Sequence, residues 1–234
     1  TDSNTIPASL GSWARAVQAT ASPRGSENEG DPPGAGRLPA VTAVPSRVMS
    51  DGNLIWRDGE LIPQSEATVP VLTHGLHYGS GVFEGIRAYR TDRGPAVLRL
   101  TDHMRRLRRS AEACLIPMEW SVADLVAAAK RVLAANGLES GYLRPIAFYG
   151  AGELGVLPKN LRAVTMIAVW QWGAYLGDEG VRRGIRVKVS PWRRFSPEIL
   201  PQAKATGPYL NAMLAKIDAV RAGYDEAIML GTTG

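Results

Sequence analysis

Apolar and polar positions change period several times along the chain, and each change marks an element. Residues 1–48 carry no period. Pro, Gly, Ser and Ala dominate there, and Gly30-Asp31-Pro32-Pro33-Gly34-Ala35-Gly36 cannot bury enough apolar surface to offset its chain entropy. This N-terminal extension is expected to be disordered; its acidic residues and lack of an apolar h-region argue against a targeting peptide. Order is expected from Asn53. Leu54-Ile55-Trp56 and Leu61-Ile62 flank Asp58-Gly59, which predicts a hairpin. Val69–Leu72 predicts a short strand, and Phe83–Tyr89 with Ala96–Leu100 a strand pair around Thr91–Pro95.

The period then lengthens to that of a helix. Met104, Leu107, Ala111 and Leu115 form a stripe behind Thr101 as a cap. Ser121 with Asp124 resembles a capping box for a second helix that Gly137 ends. Tyr142–Tyr149, Ala163–Trp170 and Ile185–Ser190 predict strands. Tyr209, Leu210, Met213, Leu214, Ile217 and Val220 predict a helix stopped by Gly223, followed by a strand over Glu226–Leu230. Strands and helices mix without a regular βαβ rhythm, so the fold class is α+β.

Two stretches fit no ordinary core element. Thr73–Arg87 holds four glycines and two histidines in fifteen residues, which suits backbone packed against a ligand or partner subunit, or else a Gly-rich turn. In Ile199–Leu210 a single lysine, Lys204, stands among Ala203, Ala205 and Gly207 ahead of a helix. A partly desolvated lysine amine is a nucleophile for carbonyl compounds, whereas a solvated one before a helix does nothing.

Composition narrows the choice. The chain has 234 residues, a net charge of +5 and 45% hydrophobic content, enough for one large or two small cores. Its arginines are scattered apart from Arg105, Arg106, Arg108 and Arg109, unlike the basic stripe of a nucleic-acid-binding protein. The single cysteine, Cys114, has no internal disulfide partner and points to a reducing, cytoplasmic setting. No apolar run reaches membrane-span length, and no His/Cys cluster has metal-ligand spacing.

A lysine in a small-residue loop, a tyrosine five residues on, an arginine on a helix and another on a strand make the set a phosphorylated aldehyde cofactor needs. The motifs His74-Gly-Leu-His-Tyr-Gly-Ser-Gly-Val-Phe-Glu-Gly-Ile-Arg87, His103-Met-Arg-Arg-Leu107, Tyr142-Leu-Arg-Pro145, Trp172-Gly-Ala-Tyr-Leu-Gly177 and Ala203-Lys-Ala-Thr-Gly-Pro-Tyr-Leu-Asn211 follow in order. In that order and spacing they resemble the class IV, fold-type IV pyridoxal-phosphate aminotransferases, and within them the branched-chain amino acid aminotransferases. The resemblance covers about residues 50–234.

It implies pyridoxal 5'-phosphate as cofactor, with Lys204 as the lysine that holds it, Tyr209 beside its ring hydroxyl and Arg106 on its phosphate. Phe83, Gly85, Tyr142, Arg144 and Trp172 would surround the substrate side chain and carboxylate. Tyr78 and Val156 would reach into a neighbouring subunit's pocket, making a homodimer. Small-molecule substrates, branched-chain amino acids and 2-oxo acids, are implied, with neither nucleic acid nor membrane as partner. A D-amino acid aminotransferase, an aminodeoxychorismate lyase and a non-catalytic relic are the alternatives.

The resemblance also divides the chain: 49–170 a small α/β domain, 171–180 an interdomain loop, 181–234 the beginning of the cofactor-binding domain. The family's acidic partner of the pyridine nitrogen and its phosphate loops would follow Gly234. A fragment inactive alone is therefore expected, its strands over Ala163–Trp170 and Glu226–Leu230 lacking neighbours.

Overall fold

The computed structural model describes residues 53–172, 180, 182–196 and 202–233. The reading of residues 1–48 and most of the 171–180 loop lies outside these. Strand β1 (Leu54–Arg57) turns through Asp58 and Gly59, both at positive φ, into β2 (Glu60–Pro63). A short helix α1 (His74–Tyr78) follows, then β3 (Gly81–Phe83), β4 (Ile86–Thr91) and β5 (Gly94–Val97). Two longer helices, α2 (Leu100–Ala113) and α3 (Val122–Ala135), precede β6 (Gly141–Tyr149) and β7 (Ala163–Trp170).

These seven strands make one sheet in the order β2-β1-β7-β6-β4-β5, with β3 also on β6. Phe83 pairs with Ile146 and Ile86 with Leu143, so β3 and β4 run along β6 in one register, broken only at Glu84-Gly85. Alternation then sorts the side chains. Val82, Glu84, Ile86 and Ala88 face one way with Leu143, Ala147 and Val169, and bury against Met104, Leu107 and Ala111 of α2 and Leu125, Ala129 and Val132 of α3. Phe83, Gly85, Arg87, Tyr142 and Arg144 fall on the opposite face.

Ser121 caps α3 through the expected box with Asp124. Its other end is held by Asn136, whose side chain accepts from the Leu54 amide (2.8 Å) and donates to the Leu54 carbonyl (2.9 Å), tying the helix to β1. Beyond β7 come β8 (Val187–Val189), α4 (Tyr209–Arg221) and β9 (Glu226–Ile228), with β8 and β9 in a separate two-stranded sheet. β8 and β9 pair in parallel, which makes a βαβ arrangement inside an otherwise α+β fold.

Several local expectations are corrected. Val69–Leu72 is no strand: the Pro70 carbonyl accepts the Thr73 amide (3.0 Å) and hydroxyl (2.6 Å), closing a turn where proline could not serve a ladder. The β5 pairing ends at Val97, because α2 begins at Leu100. The residue preceding α2 is Arg99, at φ 50, and Thr101 lies within the helix. Leu115 is 81% exposed: α2 stops at Ala113, Leu115 exits at φ 56, and Ile116 fills the core instead. On α4 the buried face is Ala215 and Ala219, while Leu210 and Met213 are exposed, because it is the small-residue face that turns inward. Strand β7 has neighbours on both edges, β1 and β6, so it is an interior strand and not a bare edge.

Candidate active site

The lysine loop docks on the first sheet as if it were a further strand. Phe83 N–H donates to the Lys204 carbonyl (3.0 Å), Thr206 N–H donates to the Gly81 carbonyl (2.8 Å), and Ala205 bridges Val82. The Thr206 hydroxyl donates to the Gly79 carbonyl at 2.8 Å. Close approach here needs glycine, since a Cβ on Gly79, already at φ 62, would lie 2.7 Å from Gly207 Cα. The Lys204 amide donates to the buried Ser110 hydroxyl of α2 (3.1 Å). With its backbone so fixed, the Lys204 amine projects outward, donates to the Tyr209 hydroxyl at 2.6 Å and stands 4.8 Å from the Phe83 ring centre.

Arg106, Lys204 and Tyr209 line one cavity of about 590 Å³, with Arg194, Gln202 and Asn211 around them. Arg106 is held from behind. Its Nε and Nη2 donate to the two oxygens of Glu84 at 2.6 and 2.7 Å, and His103 Nδ1 lies 2.9 Å from the same carboxylate. Burial is the largest influence on Glu84 and pushes its carboxyl up. The hydrogen bonds and charges of Arg106 and His103 together outweigh it, and the group sits below its ordinary value. Its hydrogen bond to Glu84 raises Arg106 in turn, so the guanidinium stays charged.

The sheet face next to the lysine carries the other named residues. Arg144 spans two rings, its guanidinium 4.7 Å from the Phe83 centre and 5.3 Å from that of Tyr142, whose hydroxyl accepts from Nη2 at 3.1 Å. Tyr142 packs on Trp170 and Trp172 at 5.0 and 4.7 Å. Gly85 lies directly against the Tyr142 hydroxyl. The rest of the Trp172–Gly177 motif lies outside the described residues.

Tyr78 and Val156 do not enter this cavity. Both are exposed, as are their chain neighbours Val71, Leu72, Leu76 and Leu157. Buried His74 links the two segments, with Nδ1 2.6 Å from the Ser80 hydroxyl and Nε2 2.9 Å from the Gly155 carbonyl.

Sequence reasoning missed Glu84, Ser110 and Thr206. Glu84 was legible in principle, since it takes the core-facing phase of Val82 and Ile86, where a carboxylate survives only with partners. Ser110 and Thr206 act on backbone groups and left no such mark. Among the described residues, no His, Cys, Asp or Glu group could hold a metal ion, and no helix is long and apolar enough to cross a membrane.

An amine, a guanidinium and a phenol lining one cavity beside an antiparallel sheet are the set a phosphorylated aldehyde would need, and the comparisons agree with that class. The model of the amino-transferase class IV family matches residues 81–234, and the chain belongs to that family. It is 43% identical over 182 residues to a branched-chain-amino-acid aminotransferase of Pseudomonas aeruginosa, covering 77% of this chain and 59% of that protein. The Escherichia coli protein of the same name is 42% identical over the same shares. Among solved structures, the E. coli branched-chain amino acid aminotransferase superposes with a TM-score of 0.76 at 42% identity, covering 78% of this chain and 61% of that one. The T.th. branched-chain amino acid aminotransferase with pyridoxamine 5'-phosphate gives 0.74 at 48%, with the same coverage. The chain thus spans about three-fifths of the relatives it matches.

The residues present fit a pyridoxal phosphate. The cavity lies within the roughly 300–1,000 Å³ of small-molecule sites, and an amine, a phenol and a guanidinium are the groups an aldehyde, a hydroxyl and a phosphate would call for. Next to it, the buried Arg144 Nε finds no hydrogen-bond partner among the described residues.

Proposed function

We propose that this chain carries the lysine-bearing part of a pyridoxal-phosphate-dependent aminotransferase that moves amino groups between branched-chain L-amino acids (Leu, Ile, Val) and 2-oxoglutarate. The observation that carries the proposal is the Lys204 amine, bonded to Tyr209 in the cavity that Arg106 also lines. When bound, the cofactor supplies an aldehyde that takes up the amino group and a ring that accepts electrons. Lys204 Nζ would hold the cofactor, and its free amine would take the proton of the substrate α-carbon as general base. Tyr209 orients that amine and the ring hydroxyl. Arg106 binds the phosphate, and Arg144 with Tyr142 binds a carboxylate.

Phe83, Tyr142 and Trp172 supply an apolar wall that suits leucine, isoleucine or valine. The names of the relatives favour the same substrates over D-amino acids or aminodeoxychorismate. The apolar residues Val71, Leu76, Tyr78 and Val156, the last 87% exposed, are read as the face of a homodimer in which Tyr78 and Val156 approach the partner's pocket. The domain division at 171–180 is retained, since the seven-stranded sheet ends at Trp170 and the βαβ unit follows. A reducing compartment, the cytoplasm, suits the single cysteine.

The test is a substrate panel on the protein from its complete reading frame, following glutamate formed from 2-oxoglutarate. Leucine, isoleucine and valine should turn over and D-alanine should not. Preference for D-alanine, or lyase activity on aminodeoxychorismate, would overturn the substrate reading.

A further inference from the structure

Glu84 is the one acidic side chain that is fully buried among the described residues, with 0% exposure. It interrupts an apolar series, Val82, Ile86 and Ala88, at the break between β3 and β4. Burying a carboxylate costs several kcal/mol, and replacing a buried pair by apolar residues is often neutral for stability. Packing alone therefore gives no reason for a carboxylate here.

The partner explains the placement. Arg106 is not itself buried: its side chain is 51% exposed, and it lines the cavity that holds the Lys204 amine. A guanidinium offers five N–H groups in a rigid fork. Glu84 takes Nε and one Nη2 proton in a two-point contact, which fixes the plane and the rotamer. His103, one turn before Arg106 on α2, steadies the carboxylate at the oxygen Nη2 uses. Arg106 makes no other hydrogen bond among the described residues, which leaves its Nη1 end uncommitted.

We propose that Glu84 is a positioning residue of the phosphate site: it occupies the Nε side of Arg106, so that the phosphate is met end-on by Nη1 with the remaining Nη2 proton. This rests on the reading of Arg106 as the phosphate ligand. Fixing the fork before binding removes a rotamer cost that a free arginine would pay with every phosphate bound.

The test compares pyridoxal phosphate with pyridoxal, the same ring and aldehyde without the phosphate, in protein from the complete reading frame. Dissociation constants come from absorbance titration of wild type, Glu84→Gln, Glu84→Asp, Arg106→Ala and the Glu84→Gln/Arg106→Ala double variant. Glu84→Gln should weaken pyridoxal phosphate about tenfold or more, leave pyridoxal within about twofold, and cost nothing further once Arg106 is gone. Glu84→Asp, which keeps the charge but shortens the reach, should show the same selectivity to a smaller degree, and serves if Gln prevents folding.

Equal weakening of both ligands, or additive loss in the double variant, would reduce Glu84 to a structural role and overturn the proposal. If Arg106→Ala weakens pyridoxal phosphate but neither Glu84 variant does, the positioning role alone fails. If Arg106→Ala leaves that affinity unchanged, the reading of the site fails and takes this inference with it.

Discussion

Gly85→Ala tests the substrate face without touching the cofactor residues. Gly85 is not at positive φ, so alanine carries no backbone strain there. Its Cβ, however, would lie 2.0 Å from the Tyr142 hydroxyl oxygen and 3.0 Å from Cζ. Carbon and oxygen ordinarily meet at about 3.3 Å or more, so the phenol must retreat by roughly 1 Å. Tyr142 is flanked by Trp170 at 5.0 Å and Trp172 at 4.7 Å, and a retreat of that size takes its hydroxyl off the 3.1 Å bond from Arg144. A hydrogen bond to a charged group contributes about 1.5–3 kcal/mol, which is roughly ten- to a hundredfold in an equilibrium constant. The KM for leucine should rise by about that factor and the melting temperature should fall with the lost bond, while the dissociation constant for pyridoxal phosphate stays nearly unchanged. Adding Tyr142→Phe should cost little more, because the same hydroxyl is lost in both variants. Steady-state kinetics with a parallel cofactor titration decides it. An unchanged KM, or cofactor affinity falling as far as KM rises, would refute the reasoning.

Three further outcomes are expected. Borohydride reduction in the presence of pyridoxal phosphate should label the peptide containing Lys204, and Lys204→Ala should abolish both label and turnover; label on Lys159, Lys188 or Lys216 would show the wrong lysine had been chosen. Ser110→Ala strands the Lys204 amide behind α2 and should lower stability by about 1–3 kcal/mol in urea unfolding, so a change below about 0.5 kcal/mol would mean the bond at 3.1 Å contributes little. Glu84 is held below the ordinary glutamate value of 4.5, so its contribution to stability is fully present above that pH and is lost as pH falls through the lowered folded value. Stability measured from pH 6 to pH 3 should therefore fall less steeply in Glu84→Gln, and parallel curves for the two proteins would contradict the assignment.

The regular elements were legible wherever one period governed them. The hairpin at Asp58-Gly59, the capping box at Ser121 and the long strands β6 and β7 follow from spacing and turn chemistry alone. Errors arose where a tertiary contact decided the outcome. Val69–Leu72 is apolar enough for a strand, but the Pro70 carbonyl is used by Thr73. Leu115 keeps the helical phase of α2 one turn too far, after the backbone has left the helix. The site behaved in the same way. Lys204, Tyr209, Arg106 and Arg144 stood out by chemistry, whereas Ser110 and Thr206 serve backbone groups that no side-chain pattern reveals.

What the sequence could not convey is that β3 and the break after it align the site. Val82 bridges Ala205 and so sets the position of the lysine loop. Phe83 points to the opposite face and lies under the Lys204 amine and the Arg144 guanidinium. Glu84 points inward again and grips Arg106. A shift of one residue in the pairing with β6 would exchange these faces, placing Phe83 in the helix-facing core and Glu84 toward the cavity. Two features oppose such a slip. The β6 pairing continues in one register on both sides of the Glu84-Gly85 break, from Gly81 opposite Phe148 to Ala88 opposite Gly141. The lysine loop also locks onto β3 from its other edge, where Gly79 and Gly207 meet too closely for any side chain. Alternation along three consecutive residues, Val82 to Glu84, thus places a loop, an aromatic wall and an arginine on a common frame, so that a change in strand register is a change in active-site geometry.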